Sequence, residues 1–310
     1  MTEEPKYNSF FVGKKAGGER HIETPNYKLK KIQERLNKYL QAVYYFYKTP
    51  VAYGFIINSI KENDRRDILT NAQKHAENDY VLNLDLKNFF HTINVPKVWD
   101  IFKKPPFRLQ RPAVEMLTRL TTFRGRLPMG TPTSPVLSNF ATRKLDADLL
   151  EYCQRKNLTL SRYADDITIS SKEKITPALI ENFKIIILQN HFEVNEKKVK
   201  LYEKDEPKEI TGLILENKKV RLPTTFIPEI ESEIEKLKST LLVQNQQGKL
   251  HTNWVEEYQK QIQGKINFVG YILGQKSIEK QRLDSLLEEA LNPPIEDFGS
   301  YSWRSFMYRV

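Results

Sequence analysis

Apolar and polar positions alternate from Leu158 to Ser171 (LTLSRYADDITISS), in two short runs, Leu160–Tyr163 and Ile167–Ser170, with neither Gly nor Pro inside. A period of two, dense in Thr, Ile and Tyr, predicts two β-strands. Ala164, Asp165 and Asp166 then fall at the tight reversal between them. Asp is a common turn residue, and an ordinary turn is one reading of the pair. Tyr163 and Ile167, however, press two adjacent carboxylates against apolar surface, where they repel each other unless a proton or a cation intervenes. A divalent metal is one such cation, and it calls for a third carboxylate on another central strand.

Residues 80–93 (YVLNLDLKNFFHTI) contain one. Val81, Leu82, Leu84 and Leu86 make the mostly apolar run of a strand buried on both faces. Asp85 interrupts it, and a lone carboxylate there is unfavourable without a partner. Phe90, five residues on, is a bulky ring near the strand's end; core packing is its plain alternative role.

The remaining pattern predicts a mixed α+β chain. Residues 7–24 read as two strands around a basic, Gly-rich loop in which Lys14, Lys15 and Arg20 flank Gly13, Gly17 and Gly18. Such a loop suits phosphates, and is equally the tip of a charged hairpin. Leu29, Ile32, Leu36, Leu40 and Val43 recur at helical spacing across 27–47, with a basic outer face. Short helical pieces and turns are expected over 51–80, where His75 has no Cys or His at ligand spacing and reads as a structural histidine. Helices broken by Pro105-Pro106 are expected over 96–121. In 124–152, Gly130, Pro132 and Pro135 give a bent loop. Ser134 caps a helix there, with Pro135 at its first position and Val136, Phe140, Leu145 and Leu149 facing the sheet. A helix over 177–190, a turn and strand over 191–204 and a hairpin over 209–223, turning at Asn217-Lys218, follow. From Thr224 the chain becomes helical. Ile230, Ile234, Leu237 and Leu241 form one stripe; Trp254, Tyr258 and Ile262 form another beside Lys260 and Lys265. A domain boundary is placed near Pro223.

Charge narrows the partner. A formal net charge of +10 and a pI near 9.3 suit a polyanion, as against a merely soluble basic surface. Cys153, the sole cysteine, excludes an intramolecular disulfide and a Cys-cluster zinc site, and fits a reducing cytoplasm. No apolar run approaches the ~20 residues of a membrane span, no signal-peptide layout opens the chain, and no internal repeat is present.

Three carboxylates, Asp85, Asp165 and Asp166, at the ends of adjacent strands favour Mg²⁺, or Mn²⁺ in its place. Two such ions, about 3.5–4 Å apart, act on one phosphoryl centre in nucleotidyl transfer. The backbone carbonyl of Leu86 is a candidate extra ligand.

LDLKNFF (84–90), LPMGTPTSP (127–135) and YADD (163–166), in this order, resemble the palm motifs of reverse transcriptases. NAQKH (71–75), ITGL (210–213) and GKINFVG (264–270) are similar to motifs of the bacterial retron branch, and the resemblance runs over residues 7–275. It implies a right-hand polymerase: fingers over 1–80 with 96–123 as further fingers or palm helices, palm over 81–95 and 124–223, thumb over 224–310. It implies metal binding at Asp85, Asp165 and Asp166. Phe90 becomes the steric gate against a ribose 2′-hydroxyl, and Lys198, in Asn195-x-x-Lys198, the acid for the pyrophosphate leaving group. Arg20 and Lys14 would hold the triphosphate, and Gly130 would line the nucleotide. Thr211, Gly212, Lys260 and Lys265 would lie along primer or RNA. Met129 departs from the Gln of many relatives and removes one hydrogen-bonding option. The implied activity is dNTP polymerisation on a structured non-coding RNA that is both template and primer. It yields branched RNA-linked single-stranded DNA in a bacterial cytoplasm, in phage defence with an accessory effector protein and no membrane. No room is left for an RNase H, integrase or nuclease domain. A polymerase of group II intron or diversity-generating lineage, and a non-catalytic RNA-binding scaffold, are the alternatives.

Overall fold

The computed structural model describes residues 6–13, 17–58, 64–246 and 253–292. Lys14, a predicted triphosphate contact, lies outside them. The described residues fall into two compact units that divide between Val220 and Arg221.

The first unit opens with an antiparallel hairpin of β1 (Tyr7–Gly13) and β2 (Glu19–Pro25). Asn26 then caps α1 (Tyr27–Tyr47), its side chain accepting from the Leu29 amide at 2.9 Å; of the predicted stripe Leu29 and Leu40 are buried, Leu36 and Val43 are half-buried and Ile32 is exposed, while Tyr44 beside Val43 is buried instead. A reciprocal Asp67–Thr70 capping box starts the short α2 (Ile68–Gln73). Next come β3 (Tyr80–Asp85), α3 (Phe89–Thr92), α4 (Val95–Lys103) and α5 (Arg111–Thr121). The stretch expected as one helix after Ser134 is two, α6 (Ser134–Ala141) and α7 (Arg143–Arg155). Thr142 separates them, its hydroxyl donating back to the Ser138 carbonyl at 3.0 Å. Ser134 is the first residue of α6 rather than its cap, because its hydroxyl is engaged by Thr131 at 2.7 Å. The unit continues with β4 (Thr159–Tyr163), β5 (Asp166–Ser171), α8 (Pro177–Gln189), a 3₁₀ turn at Glu196–Lys198 and β6 (Lys200–Tyr202).

The central sheet is antiparallel in the order β4-β5-β3-β6. β3 therefore lies inside it, which explains its apolar run: Val81, Leu82 and Leu84 are buried, and Leu82 and Leu84 join one core with Ile167, Ile169 and the inner faces of α4–α8. A second sheet, β7 (Lys208–Ile210), β8 (Leu213–Glu216) and β9 (Lys219–Arg221), adds a strand to the expected hairpin. Asn217 and Lys218, at φ 49° and 61°, form the predicted turn; Thr211 and Gly212, at 49° and 81°, form another of the same kind.

The second unit consists of α9 (Phe226–Gln246), α10 (Asn253–Leu273) and α11 (Ile278–Leu291). The first predicted stripe is its buried face on α9: Ile230, Ile234, Leu237 and Leu241. On α10 the prediction is off by part of a turn. Val255, Ile262, Ile266 and Val269 are buried, whereas Trp254 is 55% exposed and stacks on Tyr258 at 5.1 Å. No helix among the described residues is long and apolar enough to cross a membrane. The α+β class is as predicted.

Candidate active site

The register of the central sheet places Asp85, the last residue of β3, opposite Asp166, the first of β5. The β4–β5 connection is two residues long, Ala164 and Asp165. Ala164 has φ 58°, a region that a side chain disfavours. The Asp165 carbonyl accepts from the Leu86 amide at 2.9 Å, so the tip is bonded to the chain just past β3. Residues 80 positions apart in sequence thus end at one sheet edge.

Lys198 meets them there. Its ammonium donates to Asp85 Oδ2 at 2.6 Å, while Asn195 binds the same residue through Nδ2 to Oδ1 at 3.1 Å and through its backbone amide to the Asp85 carbonyl at 2.8 Å. The hydrogen bond to Asp85, reinforced by the Asp165 and Asp166 charges, raises the Lys198 pKa and keeps it a cation. Burial, and then the Asp85 charge, raises Asp165 against the opposing pull of Lys198 and Arg20. Asp166 is pushed up to about 7 by desolvation at the sheet edge and then by Asp165 and Asp85. Its side chain keeps contact with solvent, so water screens part of that push. Carboxyls raised first by burial and then by one another mark a site rich in negative charge.

The side chains nonetheless do not form a closed ligand shell. Among the described residues, no group of three or more His, Cys, Asp or Glu side chains is gathered closely enough to hold a metal ion. The backbones of the trio converge; one carboxylate is taken by Lys198. The donor set that remains is all oxygen, as Mg²⁺ or Mn²⁺ requires, and its unrelieved repulsion fits such an ion.

Around this edge the other predicted residues divide. Phe90, on α3, is half-buried and tilts against Phe55 with ring centroids 6.2 Å apart, while its neighbour Phe89 fills the core. Gly130 has φ 110°, and a Cβ there would stand 2.7 Å from the Ile22 methyl of β2, so its loop lies directly on that strand. The loop is fastened there by the Glu23 amide, which donates to the Met129 carbonyl at 2.7 Å, and by Arg126, which grips the fully buried Glu23 at 3.0 and 3.3 Å. Arg20 is exposed on the same strand. Thr211 and Gly212 occupy the β7–β8 turn, and the Thr211 hydroxyl accepts from Asn71 at 3.2 Å. Lys260 and Lys265 belong to the second unit and are already paired, with Glu257 at 3.3 Å and with both oxygens of Glu233 at 2.5 and 2.7 Å. His75 is structural, as expected: its two ring nitrogens bond Ser170 and Ser161, each at 2.7 Å.

Sequence reasoning passed over Arg162, Asp146, Asn139, Gly54 and Glu23. One signal was present. Arg162 interrupts a strand as Asp85 does, and a charge inside an apolar strand asks for a partner.

A model of the family described as reverse transcriptase (RNA-dependent DNA polymerase) matches residues 12–272. Among curated proteins, the Retron Ec86 reverse transcriptase of Escherichia coli is 32% identical over 57% of this chain and 55% of its own length. The Retron Ec48 reverse transcriptase of the same organism is 26% identical over 89% of this chain and 68% of its own length, and the Retron Ec73 enzyme 35% over 61% and 62%. The chain thus spans between about half and two thirds of the length of these relatives. A solved telomerase from Candida albicans superposes with a TM-score of 0.49 over 96% of this chain and 65% of that one, at 11% identity. With its family model spanning most of the sequence, the chain belongs to the reverse transcriptase (RNA-dependent DNA polymerase) family, and the curated relatives it resembles are of the bacterial retron type.

Proposed function

We propose that this chain is an RNA-directed DNA polymerase of retron type, which extends a primer with dNTPs on a structured non-coding RNA. The single observation that carries the reading is the register of β3 against β5, which sets Asp85 facing Asp166 with Asp165 bonded alongside. Asp85, Asp165 and Asp166 would hold Mg²⁺, with the Leu86 carbonyl as a candidate further oxygen. When bound, the metal supplies activation of the attacking 3′-hydroxyl and neutralisation of the triphosphate.

The chain's own groups take the remaining roles. Lys198, held protonated beside Asp85, is the acid available to the pyrophosphate leaving group once its carboxylate partner turns to a cation. Phe90, backed by Phe55, is a rigid wall for the sugar's 2′ edge. Arg20 offers a guanidinium to the triphosphate from β2, against which the Gly130 loop is packed. Lys28, Lys30, Lys31, Arg35 and Lys38 line the exposed side of α1 with Glu34 the one acid of that helix, a surface suited to an RNA backbone. In this reading the first unit supplies fingers and palm and the second the thumb. The product is branched RNA-linked DNA made in the bacterial cytoplasm, in a phage-defence setting with an effector protein.

The test is primer extension on an RNA template with Mg²⁺. The wild-type chain incorporates dNTPs and Asp165→Asn with Asp166→Asn does not. Extension that survives in the double variant refutes the assignment. Isolation from the native host of a small RNA–DNA hybrid, sensitive to both RNase and DNase, tests the retron product itself.

A further inference from the structure

Arg162 lies on β4 with its side chain 1% exposed, as is that of its partner Asp146 on α7. Its guanidinium is fully directed. Nε and Nη2 donate to the two Asp146 oxygens at 2.6 and 2.8 Å, and Nη1 donates to Asn139 Oδ1 at 3.1 Å and to the Ala164 carbonyl at 3.0 Å. Asn139 passes the connection on, its Nδ2 donating to the Gly54 carbonyl at 2.9 Å. The backbone of Arg162 is bonded on both sides to the same segment, its amide to the Val51 carbonyl at 2.7 Å and its carbonyl to the Tyr53 amide at 2.8 Å. Thr49 completes the ring with a 2.6 Å bond to Asp146.

A buried ion pair is a weak device for stability, because an apolar replacement of similar volume serves as well or better. What a pair of leucines would lack here is direction. Ala164 is the residue immediately before Asp165, and its φ of 58° is one that its side chain resists. The Arg162 bond fixes its carbonyl. On its other side the Gly54 backbone comes so close that a Cβ at Gly54 would stand 2.7 Å from the Ala164 nitrogen. The residue that leads into the two aspartates is thereby bonded at its carbonyl and closely packed at its nitrogen.

We infer that Arg162, locked by Asp146 and Asn139 and matched by Gly54, is a positioning device for the Asp165–Asp166 tip: it fixes a strained Ala164 so that both carboxylates are presented toward Asp85. The inference rests on the polymerase reading above. It predicts that loosening this clamp impairs metal use and chemistry while RNA binding persists.

The experiment measures single-nucleotide incorporation on an annealed RNA template–DNA primer across a Mg²⁺ titration. Template affinity and the thermal unfolding midpoint are recorded for every protein. Gly54→Ala drives a methyl into the tip, and Arg162→Lys keeps the charge but not the fork. Each is expected to lower the maximal rate about 10- to 100-fold, as an ångström of misplacement does, and to raise the half-saturating Mg²⁺ concentration. Template affinity should stay within about twofold, since the clamp makes no exposed contact. Ala164→Gly relieves the φ strain, so it folds at least as well, yet it should lose about three- to tenfold in rate by loosening the tip. Ile187→Ala, a core truncation on α8, is the stability control and should keep the rate while lowering the midpoint. The inference is overturned if rate loss tracks the midpoint with the control included. It is equally overturned if Ala164→Gly, and whichever of the other two folds, match the wild type in rate and Mg²⁺ dependence. A wild-type chain that extends no primer sinks the polymerase reading instead.

Discussion

His75 offers a quantitative test of the core beneath the β4–β5 hairpin. Its side chain is fully buried, with one ring nitrogen on Ser161 of β4 and the other on Ser170 of β5, both at 2.7 Å. Burial, and then the nearby Lys74 charge, lowers its pKa to about 3 from an ordinary 6.5. The sign follows from linkage. The unfolded chain binds this proton as pH falls through 6.5 and the folded chain does not, so stability present above 6.5 is lost below it. At about 1.4 kcal/mol per pH unit, the loss reaches about 2 kcal/mol by pH 5 and continues toward pH 3. His75→Gln removes the titration and keeps one partner. It breaks at least one of the two buried serine bonds, for a penalty of about 1–3 kcal/mol at pH 8. Urea unfolding of both proteins at pH 8, 6.5 and 5 should therefore show the wild type ahead at pH 8 and the gap closing by about 2 kcal/mol at pH 5. A gap that stays constant across this range refutes a neutral, unprotonated His75 in the folded state.

Two predictions bear on the chemistry. Phe90→Ala opens the wall beside Phe55 and should lower discrimination against ribonucleotides by about tenfold or more, read as the ratio of dNTP to NTP incorporation efficiencies; an unchanged ratio removes Phe90 from the sugar edge. Lys198→Ala should slow single-turnover incorporation by about 10²- to 10⁴-fold, the range of a lost general acid, while leaving RNA affinity near wild type; lost affinity with intact chemistry would make the lysine a phosphate contact.

The parts of the fold that were legible in the sequence are those in which one periodicity rules. β3, β4 and β5 alternate or run apolar as their depth in the sheet demands, and α1 repeats at three and four. The break between α6 and α7 was missed because apolar residues continue on both sides of it, and only the back-bonded Thr142 hydroxyl divides them. The β7–β9 sheet was partly hidden because Thr211 is a β-branched residue at φ 49°, where glycine or asparagine is the usual turn signal. Trp254 and Tyr258 sit at the border of an amphipathic face, and spacing alone does not tell the border from the centre. At the site, Asp85 was legible because a carboxylate in an apolar strand is conspicuous. Arg162 carries the same signal, but its meaning depends on Asp146 and Gly54, which no local spacing joins to it.

The NAQKH (71–75) and ITGL (210–213) segments, which resemble retron motifs, show the same dependence on distant partners. In the folded chain they are two ends of one connection. Asn71, at the heart of α2, donates to the Thr211 hydroxyl 140 positions away, and so ties the β7–β8 turn to the first unit's interior. Four residues along, His75 bridges a serine on each strand of the β4–β5 hairpin, and Asn78 adds bonds of 2.7 Å to Ser170 and 3.0 Å to Thr159. A single short helix and the turn after it therefore hold both the hairpin that carries Asp165 and Asp166 and the strained Thr211 turn. Each contact is buried or partly buried and demands one donor geometry, so neither partner can change alone without stranding a polar group. Physical interlock of this kind is sufficient to bind the two segments to one another through α2.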